Sequence, residues 1–245
     1  MEFKNIVVVG GGVLGSQIAF QIAYKGFSVT MWLRSDASIQ RAKPKVDQLY
    51  QDYLSDLKRM ATPAGKAPHL FCRGLADAAT FRDEDLPLYE KKVQNAYETL
   101  SFETDLAKAV ADVDLIIESI AEDPQAKIDF YTTLAPLLPK KTVIATNSST
   151  LLPSMFASYT GRPEKYLAMH FANHIWSNNT AEIMGHAGTD PAVFDALVQF
   201  AKDIGMVPLP LHKEQPGYIL NSLLIPLLQA GQTLSTKVLI PKLSA

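Results

Sequence analysis

A single cysteine, Cys72, occurs in the 245 residues. One thiol cannot form an intrachain disulfide and leaves nothing from which to build a thiolate zinc cluster. An excess of either charge is missing too, with 23 Lys and Arg against 25 Asp and Glu. That balance argues against nucleic-acid binding, which calls for a basic stripe. No apolar stretch reaches the roughly 18 residues that a membrane helix needs. The apolar run from Ile6 is broken by glycines at 10–12 and lacks a cleavage site, so it does not read as a signal peptide. Internal repeats and low-complexity tracts are absent. These absences lead us to expect a cytoplasmic globular chain without nucleic-acid or membrane partners. Its length suits one large domain, or a main domain with a smaller one.

What is present alternates. Residues 5–9 (Asn-Ile-Val-Val-Val) form a β-branched apolar run that predicts a strand buried on both faces. After the glycines, Ile18, Ala19, Ile22 and Ala23 recur at helical spacing, and Gly26 precedes a second strand over 27–32. Residues 36–98 differ, and read as a helical arm. Val46, Leu49, Tyr50, Tyr53, Leu54 and Leu57 line one face of its first helix, 61–68 is a Pro/Gly loop, and a second helix starts after Pro87. Strands are then predicted near 100–102, 114–117, 142–146, 166–171, 181–185 and 206–211, with helices from Pro124 and over 190–204. The fold class is therefore α/β: a Rossmann-type doubly wound sheet over residues 1–212 with an inserted helical arm. Residues 213–245, with their apolar segment Tyr218–Leu228, are expected to start an all-α C-terminal domain that is cut short.

Gly10, Gly12 and Gly15, with Val13 and Leu14 between them, spell G-x-G-x-x-G after a strand and into a helix. Such a loop makes a tight turn, lets backbone approach a pyrophosphate, and aims helix N–H groups at it. At the end of the second strand, where an acid would bind a ribose 2′-hydroxyl, stand Leu33, Arg34 and Ser35. A guanidinium without a carboxylate favours a 2′-phosphate, hence NADP over NAD. The alternative is that Arg34 is an ordinary surface residue.

Several runs together resemble the 3-hydroxyacyl-CoA dehydrogenase family. They are residues 8–15 (VVGGGVLG), 114–123 (DLIIESIAED), 145–151 (ATNSSTL), 169–173 (MHFAN) and 216–221 (PGYILN). Residues 12–20 and 170–174 are especially similar to the bacterial diketoreductase branch. The resemblance implies a nicotinamide-dependent oxidoreductase of the type used in fatty acid metabolism, commonly a homodimer using NAD. It implies His170 as acid/base, Glu182 as its orienting carboxylate, and Ser149 and Asn221 as holders of the substrate oxygen. Glu122, Lys127, Ser149 and Asn173 fall on positions that contact the cofactor.

The residues support part of this independently. The midpoint between His170 and Glu182 is Trp176, inside the turn 175–179, so an antiparallel hairpin makes the two opposite neighbours, roughly 5 Å apart at Cβ. The carboxylate then fixes one imidazole nitrogen and frees the other for proton exchange. A histidine satisfied by glutamate for packing alone is the competing reading of the same spacing. No metal is expected, because His170, His174 and His186 lack companion ligands at suitable spacing.

Two departures from the family bear on cofactor and substrate. Leu33 and Arg34 replace the usual acid, which counts against NAD, while His174, standing where the acyl-CoA enzymes commonly carry proline, and the altered arm around 61–84 count against CoA thioesters. A small β-keto or β-diketo acid or ester is therefore weighed equally with a 3-hydroxyacyl-CoA. The reading from a different class is a dinucleotide-binding protein that turns nothing over, motivated by the short C-terminal segment.

Overall fold

The computed structural model describes residues 1–235. Its centre is an eight-stranded sheet of order β3-β2-β1-β4-β5-β6-β7-β8. The strands are β1 (Asn5–Val9), β2 (Ser28–Trp32), β3 (Ser101–Glu103), β4 (Leu115–Glu118), β5 (Val143–Thr146), β6 (Tyr166–Phe171), β7 (Thr180–Met184) and β8 (Val207–Leu211). All neighbours are parallel except β6 and β7, which form the expected antiparallel hairpin. The helices are α1 (Val13–Tyr24), α2 (Asp36–Met60), α3 (Leu86–Thr99), α4 (Leu106–Ala109), α5 (Pro124–Leu134), α6 (Pro191–Asp203) and α7 (Leu220–Leu234).

The continuous apolar strands are explained by cores on both sheet faces. Along β1, Ile6 and Val8 join one cluster with Ile18 of α1, Tyr53 of α2 and Leu197 of α6. Val7 and Val9 point the other way, into a second cluster with Tyr131 and Leu134 of α5. Successive side chains alternate faces, so a strand covered by helices on both sides has no polar positions to spare. Strand order reverses direction of travel at β1, which opens a crevice between the loops after β1 and β4.

The arm is a helical pair, α2 and α3, fixed to the sheet by buried polar contacts. Gln21 of α1 is fully buried; it donates to the carbonyls of Gly74 (2.9 Å) and Ile204 (2.8 Å) and accepts from Tyr53 (2.7 Å). Trp176, in the β6–β7 turn, donates its indole N–H to Asp56 of α2 at 2.7 Å. The amide of Gly74 donates to the Trp176 carbonyl, and a Cβ at 74 would sit 2.7 Å from that oxygen. The arm therefore braces the hairpin.

One expectation is corrected. The sequence reads as a helix from residue 217 with an apolar face over 218–228 that lacks its cover; α7 begins instead at Leu220, and none of its residues is buried. Leu223 and Leu227 are each 69% exposed. Tyr218 is excluded from the helix by its left-handed backbone, φ +54°. Among the described residues nothing covers this face. The part of the 213–245 segment beyond Ser235 lies outside the described residues.

Candidate active site

The glycine loop follows β1 at the C-terminal edge of the sheet. Gly10 has φ +110°, and a Cβ there would fall 2.4 Å from the Ser119 carbonyl oxygen. Gly15 is as constrained, with a Cβ 2.4 Å from the Gly10 carbonyl oxygen. Gly12 differs: nothing lies within 4 Å of its added Cβ, and as N-cap of α1 it offers no side chain to the first amides. Two glycines thus close the turn and the third leaves open backbone facing uncapped helix N–H groups, the features an anionic pyrophosphate requires. The loop borders a cavity of about 560 Å³ shared with Trp32, Arg34, Ser38, Arg41, Lys45 and Ile120. Residues and group fit.

The second half of the site is the hairpin. His170 and Glu182 are register partners. His170 Nδ1 lies 2.8 Å from Glu182 Oε2, and both residues are buried. The other oxygen of Glu182 accepts from the amides of Ile219 and Leu220, each at 2.8 Å. Burial pushes the Glu182 carboxyl up, but the hydrogen bonds from His170, Leu220 and Ile219 outweigh it and hold the group below the usual carboxylate range. An ionised carboxylate only accepts, so Nδ1 carries the proton and Nε2 is left as acceptor. Nε2 faces Ser149 Oγ at 3.2 Å, so the serine hydroxyl donates to it.

Ser149 is held by a loop organised on one acid. Glu122 Oε1 accepts from Ser148 Oγ (2.5 Å), from the amides of Ser149 and Thr150 (2.9 Å each) and from Thr150 Oγ1 (2.9 Å). Asn147, just before, accepts the amide of Phe171 at 3.0 Å and so ties β5's end to β6 beside His170. The geometry is a buried imidazole with one nitrogen locked and one turned to a hydroxyl, at the same sheet edge as an anion-binding loop.

Residues 5–215 match the family model described as "3-hydroxyacyl-CoA dehydrogenase, NAD binding domain". The chain belongs to the 3-hydroxyacyl-CoA dehydrogenase family. Among solved structures, that of a diketoreductase described as catalysing dicarbonyl compounds is 43% identical, with a TM-score of 0.81 over 99% of this chain and 76% of that one. The mitochondrial hydroxyacyl-coenzyme A dehydrogenase of Rattus norvegicus is 28% identical over 92% of this chain and 64% of its own length. For 3-hydroxybutyryl-CoA dehydrogenase of Clostridioides difficile the identity is 29%, over 91% of this chain and 69% of the relative. This chain thus spans about two thirds of such relatives.

The structure places the remaining family positions unequally. Asn221 is half-buried in the first turn of α7, directly after the two amides that bind Glu182. Asn173 stands exposed after β6, its carbonyl accepting from Asn178 at 2.8 Å. Arg34 is exposed at the rim of the cavity by the glycine loop. Lys127 is set apart: it is 1% exposed, and its ammonium sits 2.7 and 2.8 Å from the two oxygens of Glu118. Its distance to Glu122 Oε2 is 3.8 Å.

Two residues beside the site escape a reading of the sequence. Glu118 ends the otherwise apolar β4, and an acid in such a run is the available signal for a buried anchor. Tyr218 follows Gly217, and only the Pro-Gly turn hints at the backbone that puts its ring on His170, centroids 4.6 Å apart.

Proposed function

We propose that this member of the 3-hydroxyacyl-CoA dehydrogenase family is an oxidoreductase transferring hydride between NAD(P)(H) and a 3-hydroxy or 3-oxo substrate. The observation that carries the reading is the split role of His170: Nδ1 is committed to Glu182, while Nε2 meets only the Ser149 hydroxyl. When bound, the nicotinamide accepts or supplies the hydride. In oxidation His170 Nε2 takes the proton of the substrate hydroxyl; in reduction the imidazolium returns it to the carbonyl oxygen, with Ser149 and Asn221 polarising that oxygen. Glu182 stabilises the imidazolium and keeps its tautomer. The glycine loop and the α1 N-terminus hold the pyrophosphate.

The substrate class we favour is a small β-keto or β-diketo compound, in line with the dicarbonyl chemistry named for the diketoreductase. Supporting this, His174 has φ +58°, a conformation closed to proline, whose φ stays near −65°. The turn after His170 thus differs from one built on proline. For the cofactor we favour NADP(H), because Arg34, Arg41 and Lys45 line the cavity and no carboxylate does.

The test is oxidation of NADPH and NADH in the presence of a β-diketo ester and an acetoacetyl thioester. Turnover that falls by roughly 10²–10⁴-fold in His170→Gln supports the reading. Cofactor binding with no turnover of either substrate overturns it in favour of a non-catalytic dinucleotide binder. Arg34→Asp is expected to move preference toward NADH by on the order of tenfold; an unchanged ratio removes the 2′-phosphate reading.

A further inference from the structure

Tyr218 is buried (1% exposed), follows Gly217 at φ +79°, and itself has φ +54°. A bulky side chain keeps a left-handed backbone only where its surroundings over-determine it, and such outliers concentrate at functional sites. Here the surroundings are the site itself. The ring lies on the His170 imidazole, 4.6 Å between centroids and 19° between planes. At its far end the hydroxyl donates to the carbonyl of Ser148 at 2.7 Å. Burial pushes the phenol well above its usual range, so this oxygen stays a donor. The two amides that follow Tyr218 are those that bind Glu182 Oε1.

We propose that Tyr218 is a positioning residue: its ring fixes the plane of His170, and its hydroxyl sets the Ser148–Ser149 loop against it. The relative position of Nε2 and Ser149 Oγ, the two groups meant for the substrate oxygen, is then referenced to one side chain. A stacked face restrains rotation of the imidazole about its last bond, which the single hydrogen bond to Glu182 leaves soft. The left-handed backbone of Gly217 and Tyr218 lies between β8 and α7, where the chain turns into the helix and the ring meets His170. A phenylalanine would supply the face but not the grip on Ser148. The role in turnover rests on the reading of His170 as acid/base; the role in holding its ring does not.

Two variants of the full chain separate the parts. Tyr218→Phe keeps the ring and is expected to fold, with kcat lower by roughly fivefold and KM for the cofactor unchanged. Tyr218→Leu removes the face and is expected to lower kcat by on the order of 100-fold, the effect of a catalytic group displaced by about 1 Å. A nitrogen–proton correlation spectrum of the imidazoles, with His170 assigned by its absence in His170→Gln, supplies a readout independent of turnover. All three should show the Nδ1–H form that Glu182 fixes, with a sharp His170 signal in the wild type and Tyr218→Phe and one broadened by ring motion in Tyr218→Leu. A folded Tyr218→Leu with wild-type kcat and an unbroadened His170 signal overturns the proposal. If the wild type turns nothing over, the activity reading falls, and an unchanged His170 spectrum in Tyr218→Leu still overturns the positioning role.

Discussion

Two buried pairs among the described residues hang on glutamates of this sheet, Glu118 of β4 and Glu182 of β7, and they differ in whether anything is left over. Glu118 receives Lys127 on both oxygens, Tyr131 (2.7 Å) and Thr146 (2.8 Å) on one, and the amide of Ile120 (2.8 Å) on the other. Both members are at most 1% exposed, and the cluster is closed. Glu182 is supplied by His170 and two amides, and its partner keeps Nε2 turned toward a serine hydroxyl. The first network is closed on itself, whereas the second leaves the imidazole nitrogen that the proposed proton transfer uses. The contrast follows from the partner: an ammonium can only donate, while an imidazole relays.

The comparison breaks most sharply if Lys127 is removed. Lys127→Met leaves Glu118 fully buried and short of its main partner, and such a loss costs about 3–5 kcal/mol. Denaturant unfolding should register that loss, while Glu118→Gln combined with Lys127→Met should recover a large part of it. A single variant as stable as wild type would show that Lys127 is not an anchor, and would turn attention to its family position by the cofactor.

The opposite imbalance is expected at the open pair. In Glu182→Gln one carboxamide cannot accept from His170 and also from Ile219 and Leu220, because its second terminus is itself a donor. The imidazole loses its fixed orientation, so kcat should fall by roughly 10²-fold, with a smaller loss of stability than in Lys127→Met. Equal losses of stability in the two variants would erase the distinction between them.

How legible each centre is in the sequence follows from the range of its contacts. The β1–α1–β2 unit and the His170–Glu182 register depend on local patterns: period-2 and period-3.6 apolarity, glycine spacing, and a turn midway between two residues. Glu118 and Lys127 are only nine positions apart, yet their partners Tyr131 and Thr146 converge from α5 and β5, which no local pattern declares. Tyr218 was illegible for a sharper reason. Two consecutive positive φ values, at Gly217 and Tyr218, stand where a helical reading of 217–230 has none.

The smallest expected effect concerns Glu122, which joins the two centres: one oxygen organises the Ser148–Thr150 loop and the other lies 3.8 Å from Lys127. Burial pushes this carboxyl up, but hydrogen bonds from Ser148 and Thr150 and the nearby Lys127 prevail and hold it below its ordinary value. A carboxyl with a depressed pKa in the fold stabilises at pH above its unfolded value, near 4.3, and that contribution is lost as pH falls through the lower folded value. Wild type should therefore exceed Glu122→Gln in stability at neutral pH, with the gap closing on acidification below about pH 4. Thermal melts at a series of pH values read this directly. A gap that stays constant down to pH 3 would mean that Glu122 holds the loop by shape and not by charge, leaving the two centres electrostatically separate.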